Sequence, residues 1–396
     1  MPLPDLPDIE RKSCLMSVSK IAVLCPGYGI VSRGVETYIE EMVNRLSKNH
    51  SNWKFDIFCR ARSRRISESI QLIHVPAIDR NGGAAATYAR IGHRVGYFFR
   101  SRIDAECLSF TMALAPRILR SEYDIIFNQA GPFAGHLLEI KRRRDGTPFI
   151  HKTASGYGDL ELMMAKQRPD AILATSPFVE SWLQDRISDV SVHCLPNGVE
   201  PAIFHPYSSQ EWDVERENSA SLGLSHPIIL FAGTMDPMKR PALLLSAMSR
   251  LDDCSLLMVG SGILTDRICE EGLRLLGPKR FRLFPGVSHE RMPFFYNICD
   301  LFTLPSEEPF GISFIEAMAC NKPVLSHESP VQRWIFGSAG RTCNCEDPDE
   351  YAAAIRSMLA TDFGDSPLSE SRRFEWGRIS SQAEKIFTST MRADRR

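Results

Sequence analysis

The sequence predicts an α/β protein built from two doubly wound parallel sheets that face each other. Its 396 residues suffice for about two domains of ordinary size, each able to bury its own core. Short apolar and β-branched runs recur along the chain, and each is followed by a longer stretch with helical periodicity, which indicates βαβ units. Residues 196–225 interrupt this alternation with Pro and Ser, and we place the boundary between the domains there.

The apolar runs predict the individual strands. In the first half they lie at Ile21–Cys25, Phe55–Cys59, Leu72–Val75, Asp124–Asn128, Phe149–Lys152, Ala171–Thr175 and Val192–Leu195. In the second half they lie at Ile228–Ala232, Ser255–Val259, Arg282–Phe284, Leu301–Leu304 and Pro323–Ser326. Ligands of such sheets bind outside the carboxyl ends of the strands, so we expect the functional site in a cleft between the domains.

The expected division of the chain follows from these patterns. Residues 1–19 contain three prolines and are predicted to be a loose leader. Residues 20–205 are predicted to form the first domain and residues 206–370 the second, followed by a helical tail at 371–396.

Composition excludes several classes of protein. Lys and Arg number 47 and Asp and Glu 48, so the net charge of −1 argues against extended nucleic-acid binding, which needs excess positive charge. No apolar stretch approaches the roughly 18 residues of a membrane-spanning helix. The 11 cysteines form no repeated Cys-x2-Cys pair, so the spacing of a zinc site is missing. These features favour a protein of the reducing cytoplasm.

The most informative segment, residues 305–319, reads PSEEPFGISFIEAMA. A strand precedes it and a helix is predicted to begin near Gly311, so the first backbone N–H groups of that helix could bind an anion. Glu308 and Glu316 flank this position. Because carboxylates repel a phosphate, we expect these two to accept hydrogen bonds from hydroxyl groups. A nucleotide sugar offers a diphosphate with hydroxyl groups at both ends.

Glu308 and Glu316, separated by seven residues and followed by Ala317-Met318-Ala319 and Pro323-Val324, resemble the signature of retaining glycosyltransferases of family 4, which have the GT-B fold. Other motifs extend the resemblance along most of the chain in the family's order: Arg33-Gly34-Val35-Glu36, Pro196-Asn197-Gly198-Val199-Glu200 with Phe204, Phe231-Ala232-Gly233 through Lys239, Val259-Gly260-Ser261-Gly262 and Pro285-Gly286-Val287. One motif alone would be weak evidence, whereas six in order are specific.

The resemblance implies an enzyme of the hexosyl-transferring type. It would move a sugar from a nucleotide-diphosphate sugar to a hydroxyl group of a sugar or lipid-linked acceptor, with retention of anomeric configuration and without a metal or other cofactor. The expected setting is polysaccharide, glycolipid or glycoconjugate synthesis. The first domain would bind the acceptor, the second the nucleotide sugar, and the tail at 371–396 would cross back to the first.

The resemblance also implies roles where residues match the family's motifs. Glu308 would contact hydroxyl groups of the transferred sugar, and Lys239 would neutralise the departing diphosphate, which lowers the barrier because charge develops there. These two are the expected catalytic residues, and Glu316 would hold the ribose. The other expected donor-site residues are Gly311, Ile312, Ser313, Gly233, Thr234, Arg240, Gly260, Gly262 and Val287, and those of the acceptor and phosphate loops are Gly34, Ser155 and Gly156.

The chain departs from the family pattern at several positions. Thr234 stands where the family usually has an arginine, with Arg240 as the candidate replacement, and Ser155 stands where it often has a histidine. His151 is predicted to be a strand residue, and Arg33 replaces a glycine. Other functions therefore stay open: another GT-B activity, namely a phosphorylase or a sugar-nucleotide epimerase, or a non-catalytic nucleotide-binding partner subunit.

Asp347-Pro348-Asp349 has the spacing of a manganese-binding Asp-x-Asp motif of a different glycosyltransferase fold. Because it precedes a helical pattern, we interpret it as a helix cap and predict no metal site.

Residues 60–102 contain nine arginines against two acids, a local excess of seven positive charges in a nearly neutral chain. Tyr97, Phe98 and Phe99 lie among these arginines. The combination predicts peripheral contact of segment 60–103 with an anionic membrane surface on the inner face of a membrane, with a solvated basic face as the alternative.

Overall fold

The computed structural model describes residues 18–30, 34–92, 101–154 and 156–393. Several positions singled out from the sequence lie outside the described residues: most of the expected leader (1–17), Arg33, Tyr97, Phe98, Phe99, Ser155 and the last three residues of the tail.

The first half of the chain forms a sheet of eight strands. They are β1 (Ser19–Leu24), β2 (Trp53–Cys59), β3 (Arg64–Arg65), β4 (Ile70–His74), β5 (Ile125–Asn128), β6 (Phe149–Lys152), β7 (Ala171–Ala174) and β8 (Ser191–Cys194). Their order is β3-β4-β2-β1-β5-β6-β7-β8, and every pair is parallel except β3 with β4. The order reverses between β1 and β5, which makes the gap between these strands a topological switch point.

The second half forms a sheet of six parallel strands. They are β9 (Ile228–Ala232), β10 (Ser255–Val259), β11 (Phe281–Phe284), β12 (Leu301–Leu304), β13 (Val324–His327) and β14 (Gly340–Cys343). The order β11-β10-β9-β12-β13-β14 is that of a doubly wound nucleotide-binding sheet, with its switch point between β9 and β12. The predicted fold class, two Rossmann-like parallel sheets in an α/β protein, is confirmed.

Fifteen α-helices are described, and most of them connect the strands; short 3-10 helices lie at His289–Arg291 and Arg372–Phe374. The α-helices are α1 (Gly34–Asn49), α2 (Gly83–Gly92), α3 (Arg102–Ile118), α4 (Gly131–Asp145), α5 (Asp159–Ala165), α6 (Pro177–Gln184), α7 (Ser209–Ser221), α8 (Pro241–Met248), α9 (Thr265–Leu276), α10 (Met292–Ile298), α11 (Ile312–Ala319), α12 (Pro330–Phe336), α13 (Pro348–Leu359), α14 (Ser366–Ser371) and α15 (Trp376–Ala393). Within the described ranges, none of these helices has the length and apolar character needed to cross a membrane.

The first sheet carries apolar layers on both faces, as expected for a parallel sheet covered by helices on each side. In β1, Ile21 and Val23 are buried in the cluster that contains α1 and α15. Ala22 and Leu24 point the opposite way, into the cluster that contains α3 and α4. The continuous apolar run of β1 therefore reflects burial on both faces.

All the strands predicted from the sequence are present, with ends displaced by at most two residues. β3 and β14 were not predicted. β3 is a two-residue edge strand of exposed arginines, and β14 has the sequence GRTC, so neither contains an apolar run.

The segment 196–225, in which Pro and Ser interrupt the sequence pattern, contains helix α7. A capping box begins this helix: Glu211 N–H donates to Ser208 Oγ at 3.4 Å, and Ser208 N–H donates to Glu211 Oε2 at 2.8 Å. None of its side chains is buried, so the helix lacks the apolar periodicity by which the others were predicted.

Asp347 caps α13, as the sequence predicts. Its side chain accepts hydrogen bonds from the N–H groups of Asp349 and Glu350 at 2.9 and 3.2 Å. The Asp-x-Asp sequence is thus accounted for by the start of a helix.

Two connections run side by side between the sheets. Val199 N–H donates to Phe374 O at 2.8 Å, and Trp376 N–H donates to Val199 O at 3.1 Å. Trp376 packs on Tyr38 of α1, with ring centroids 5.4 Å apart, and Ile379, Ala383, Ile386 and Phe387 of α15 are buried in the core of the first sheet. The tail helix lies on the first sheet, whereas the exact domain boundaries stay predictions.

We expect Gly198→Ala to destabilise the protein by about 1–3 kcal/mol, because overpacking forces a well-packed site to shift. A Cβ at this position would lie 2.8 Å from Cγ and Cε2 of Trp376. The matched control is Gly377→Ala, whose Cβ meets no atom within 4 Å and which should be neutral or stabilising by up to about 1 kcal/mol. Urea denaturation measures both, and equal midpoints for the two variants would contradict the predicted close packing.

Candidate functional site

The carboxyl ends of both sheets open into one cleft of about 830 Å³. The first sheet contributes residues that follow β1 and β5, including Gly27 and Gln129. The second contributes residues that follow β9 and β12, including Gly233 and Glu308. These are the two switch points, where ligands of doubly wound sheets bind.

Two helix N-termini meet across this cleft. A Cβ on Gly34, the first residue of α1, would lie 3.3 Å from Cδ1 of Ile312, the first residue of α11. The first N–H groups of each helix have no acceptor within the helix, and each helix dipole is positive at this end. Gly311, with φ of +83°, makes the turn into α11 in a conformation that disfavours a side chain. The arrangement can bind an anion between the two sheets.

The two expected catalytic residues lie together in the cleft. Lys239 Nζ donates to both carboxylate oxygens of Glu308, at 2.7 and 2.6 Å, and Ser306 Oγ donates to Oε1 at 2.5 Å. Glu308 is 9% exposed. The Gln332 amide donates to the backbone carbonyls of Glu308 and Phe310, at 2.9 and 3.2 Å, and so fixes the loop that carries the carboxylate.

Both oxygens of the Glu316 carboxylate have partners. His289 Nε2 lies 3.0 Å from Oε1, and the buried Tyr296 hydroxyl donates to Oε2 at 2.8 Å. The hydrogen bond with Glu316 raises the pKa of His289 despite its partial burial, and burial raises the pKa of Tyr296 well above its usual range. Phe204, from the segment between the sheets, packs edge-on against both rings.

The replacement arginine does not reach the cleft. The Arg240 guanidinium lies 3.1 Å from Glu346, and Arg240 is absent from the described lining of the cleft. Thr234 does line the cleft, where its hydroxyl donates to Asp236 Oδ2 at 2.6 Å. The position at which the family usually has an arginine is therefore occupied by a neutral side chain tied to a neighbouring carboxylate.

The remaining expected site residues divide into two groups. Those that line the cleft are Glu308, Lys239, Glu316, Gly311, Ile312, Ser313, Gly233, Thr234, Gly260, Val287 and Gly34. Those that do not are Arg240, Gly262 and Gly156, while Ser155 lies outside the described residues. Gly156 is nevertheless close to the opposite wall, since its Cβ would lie 3.4 Å from Cβ of Pro309.

The wall from the first sheet holds a buried lysine that the sequence did not single out. Lys152 Nζ donates to Leu195 O at 2.8 Å and lies 4.4 Å from the centre of the Tyr38 ring. Burial lowers the pKa of Lys152 from 10.5 to about 7. The signal available in the sequence was a lysine at the end of a predicted strand, next to the expected cleft.

His151, the preceding residue, is buried in β6 and does not line the described cleft. Its Nδ1 lies 3.3 Å from Asn128 O, and its Nε2 lies 3.4 Å from the Glu161 carboxylate. The other oxygen of Glu161 accepts from Ala154 N–H at 2.9 Å. His151 is a strand residue, as predicted.

Part of the basic segment serves the interior instead of a surface. The fully buried Glu106 carboxylate binds the guanidinium groups of Arg60 and Arg80, the latter through Nε at 2.7 Å. Two of the nine arginines are therefore engaged by an acid outside the segment, which sequence spacing could not reveal. Elsewhere, within the ranges that the structure covers, no three His, Cys, Asp or Glu side chains cluster as metal ligands would.

Two family models match the chain. The model described as Glycosyltransferase Family 4 matches residues 32–203, and the model described as Glycosyl transferases group 1 matches residues 214–373. Similar proteins include the D-inositol 3-phosphate glycosyltransferase of Streptomyces coelicolor, 24% identical over 98% of this chain and 93% of the relative. Another, of the same description, is from Geodermatophilus obscurus and is 25% identical over 89% of this chain and 83% of the relative.

Solved structures share the fold. The sucrose-phosphate synthase of Thermosynechococcus elongatus has a TM-score of 0.77 and 21% identity, and covers 95% of this chain and all of its own. Anabaena HepE, solved in complex with UDP and glucose, has a TM-score of 0.68 and 16% identity, and covers 94% of this chain and 100% of its own. At these identities the likeness establishes architecture alone.

Lys152 predicts a specific dependence of stability on pH. Between about pH 7 and 10 the unfolded chain carries a proton on this lysine that the folded chain has lost, so this group's contribution to stability rises with pH, by up to about 1.4 kcal/mol per pH unit. Lys152→Met should remove this slope. Urea denaturation at several pH values between 7 and 9 compares the variant with the wild type, and Lys48→Met, at an exposed position, is the control. If the free energy of unfolding changed with pH in the same way in the wild type and in Lys152→Met, the prediction would be contradicted.

Proposed function

Because the chain belongs to the glycosyltransferases of family 4 and has the GT-B fold, we propose that it transfers a sugar from a nucleoside diphosphate to an acceptor hydroxyl with retention of anomeric configuration. The observation that carries this proposal is the Lys239–Glu308 pair, which lies in the cleft beside the start of α11. A cation beside converging helix N-termini suits a diphosphate, and adjacent carboxylates suit the hydroxyl groups at its two ends.

In this proposal the donor lies along the second sheet. Glu316 accepts hydrogen bonds from the ribose, the N–H groups of Ile312 and Ser313 receive the diphosphate, and Val287 lies beside the base. Glu308 binds hydroxyl groups of the transferred sugar. No metal ion or other cofactor is part of the proposal. HepE was solved with UDP and glucose, so UDP-glucose is the first donor to test.

Lys239 has the central part in bond cleavage. An ammonium group has three donors, so Lys239 can bind a phosphate oxygen while it keeps a hydrogen bond to Glu308. Negative charge grows on the diphosphate as the anomeric bond breaks, and a fixed cation and fixed dipoles at that point lower the barrier. Among the described residues that line the cleft from the second sheet, Lys239 is the only Lys or Arg. Thr234 supplies no charge, which leaves this task to Lys239.

The acceptor is proposed to bind against the first sheet. Gln129, Lys152 and Thr175 line this wall and offer hydrogen bonds to hydroxyl groups. The relatives are described as acting on D-inositol 3-phosphate. For this chain we propose a sugar or lipid-linked acceptor in polysaccharide, glycolipid or glycoconjugate synthesis. Approach of the two walls would exclude water and so suppress donor hydrolysis.

The first test is turnover by the wild-type protein with UDP-glucose, GDP-mannose and ADP-glucose against a panel of sugar and lipid-linked acceptors. Transfer with retained configuration supports the proposal. Use of inorganic phosphate as acceptor would instead indicate a phosphorylase, and conversion of the donor alone an epimerase. Donor binding without hydrolysis or transfer would indicate a non-catalytic subunit.

Lys239→Ala should lower kcat by about a hundredfold and change the donor KM much less, because the lost interaction strengthens as the bond breaks. Steady-state kinetics with the preferred donor measure the two constants. Lys279→Ala, an exposed lysine outside the cleft, is the control and should be unchanged. A rise in KM alone would assign Lys239 to binding, and no change in either constant would remove it from the site.

We further propose peripheral contact with an anionic membrane through the loop and edge strand at residues 61–66. Arg62, Arg64 and Arg65 are exposed there, and Ile66 is 44% exposed. The neighbouring turn carries Ile30, which is 51% exposed. Exposed arginines beside exposed apolar side chains combine attraction to anionic lipid with insertion of apolar groups.

The double variant Arg64→Gln/Arg65→Gln should weaken binding to anionic vesicles by about 2 kcal/mol at low salt, at about 1 kcal/mol per arginine. Vesicle flotation with increasing anionic lipid, at low and high salt, measures the effect, which salt should weaken. Arg143→Gln/Arg144→Gln removes two exposed arginines from α4 and serves as the control. A protein that ignores anionic vesicles at low salt, or an equal loss in the control, would contradict membrane contact at this surface.

A further inference from the structure

We propose that His289 and Tyr296 hold the Glu316 carboxylate in position for the ribose, and that the proton on His289 sets the affinity for the nucleotide sugar. This inference rests on the proposed function and extends it to two residues that act through Glu316. Neither is part of the motifs by which the family was recognised.

The geometry of the carboxylate supports the positioning role. Each oxygen has a different partner, with His289 Nε2 3.0 Å from Oε1 and the Tyr296 hydroxyl 2.8 Å from Oε2. A carboxylate oxygen can accept two hydrogen bonds, so each keeps capacity for one more. Adjacent ribose hydroxyl groups would use that capacity, and rotation of the carboxylate would break the bonds that now hold it.

The two partners are themselves fixed. Tyr296 is 1% exposed, and Phe204 packs edge-on against Tyr296 and His289, with ring centroids 5.9 and 5.1 Å apart. Phe302 packs on the other side of the tyrosine, with ring centroids 5.5 Å apart. The orientation of Glu316 therefore depends on an aromatic cluster that includes the segment connecting the sheets.

Carboxylates surround His289 on several elements. Glu316 on α11 contacts His289 directly. Glu290, the next residue in the chain, and Glu41 on α1 act on it through their negative charge. Together they raise the pKa of His289 above 6.5, while burial opposes the rise. Glu41 is itself paired with Arg45, and Tyr296 stays neutral because its own pKa is raised.

The charge balance of the second-sheet wall fixes the direction of the effect. Its charged side chains in the described lining are Lys239, His289, Glu308 and Glu316. With His289 protonated these charges cancel, whereas with neutral His289 the wall is left with one net negative charge facing the diphosphate. Loss of the proton also replaces a charge-assisted hydrogen bond to Glu316 by a weaker one. Affinity should therefore fall as pH rises through the pKa of His289.

The experiment is titration calorimetry with UDP-glucose, then GDP-mannose and ADP-glucose, at pH values from about 5.5 to 8.5. The diphosphate of a nucleotide sugar keeps the same charge over this range, so the ligand adds no titration of its own. Wild-type affinity should fall about five- to tenfold as pH rises, which is the difference between a charge-assisted and a neutral hydrogen bond.

Variants separate positioning from general structural damage. Lys152 also lines the cleft and has a pKa of about 7, so the slope is compared in the Lys152→Met variant, which lacks this second titration. In that variant His289→Gln keeps a donor but does not titrate, so it should give nearly constant affinity across the range and tighter binding than His289→Ala. Tyr296→Phe should weaken binding about tenfold at every pH, because it removes the partner of Oε2. The affinity of this variant should still fall as pH rises, because His289 is unchanged. Thermal unfolding checks that each variant folds.

Glu41→Gln tests the same proposal with His289 and Tyr296 left intact. It removes a carboxylate that favours the protonated form, so the fall in affinity should shift to lower pH. The neighbouring exposed Glu40→Gln is the matched control and should leave the midpoint unchanged.

An affinity for the nucleotide sugar that falls with pH in Lys152→Met, and no longer falls when His289→Gln is added, supports the proposal. An affinity of Lys152→Met that is independent of pH, or a fall with pH that persists after His289→Gln is added, overturns it while the proposed function stands. Failure to bind any nucleotide sugar at any pH overturns the proposed function and this inference together.

Discussion

The hydrogen-bonded pairing of Val199 with the chain at Phe374–Trp376 is the constraint on which the cleft depends. It ties together the two connections that run between the sheets, so the carboxyl ends of both sheets face the same space. Trp376 then anchors the junction against Tyr38 of α1. Since α1 begins at the cleft, the packing that secures the tail helix also sets where one of the two opposed helix N-termini lies.

Much of this architecture could be predicted because it depends on local patterns. Parallel strands buried on both faces produce continuous apolar runs, and the segment around Glu308 and Glu316 has a fixed spacing on a turn and a helix. The partners of these residues could not be predicted in the same way. His289 and Tyr296 contact Glu316 from 27 and 20 residues away in the sequence. They lie in a 3-10 helix, His289–Arg291, and in the short helix α10, and no sequence spacing relates either element to Glu316. Helix α7 could not be predicted from apolar periodicity either, because none of its side chains is buried.

Buried charged side chains in this protein differ in the partners that compensate their charge. Glu106 is fully buried but binds two arginines, so its charge is satisfied within the first sheet's helices. Lys152 is also buried, but its Nζ donates to a backbone carbonyl, and burial lowers its pKa to about 7. A buried charge with a matched partner stabilises one arrangement. A buried amine at a cleft wall without a matched carboxylate can instead change its protonation state when a ligand binds.

The substitution of threonine for the usual arginine at position 234 has consequences for the whole donor wall. In the proposed function a diphosphate needs compensating positive charge on this wall, and Lys239 would supply part of it while it also binds Glu308. The rest would come from the helix N-termini, whose dipoles do not titrate, and from His289, whose charge does. The carboxylates of Glu308 and Glu316 are compatible with a bound diphosphate in this arrangement. Each accepts hydrogen bonds from neighbouring donors, and each can still accept one from a hydroxyl group. If the proposed function holds, the wall would combine a permanent component of anion binding with a component that follows pH, and the absence of an arginine at position 234 would make the second component a larger share of the positive charge.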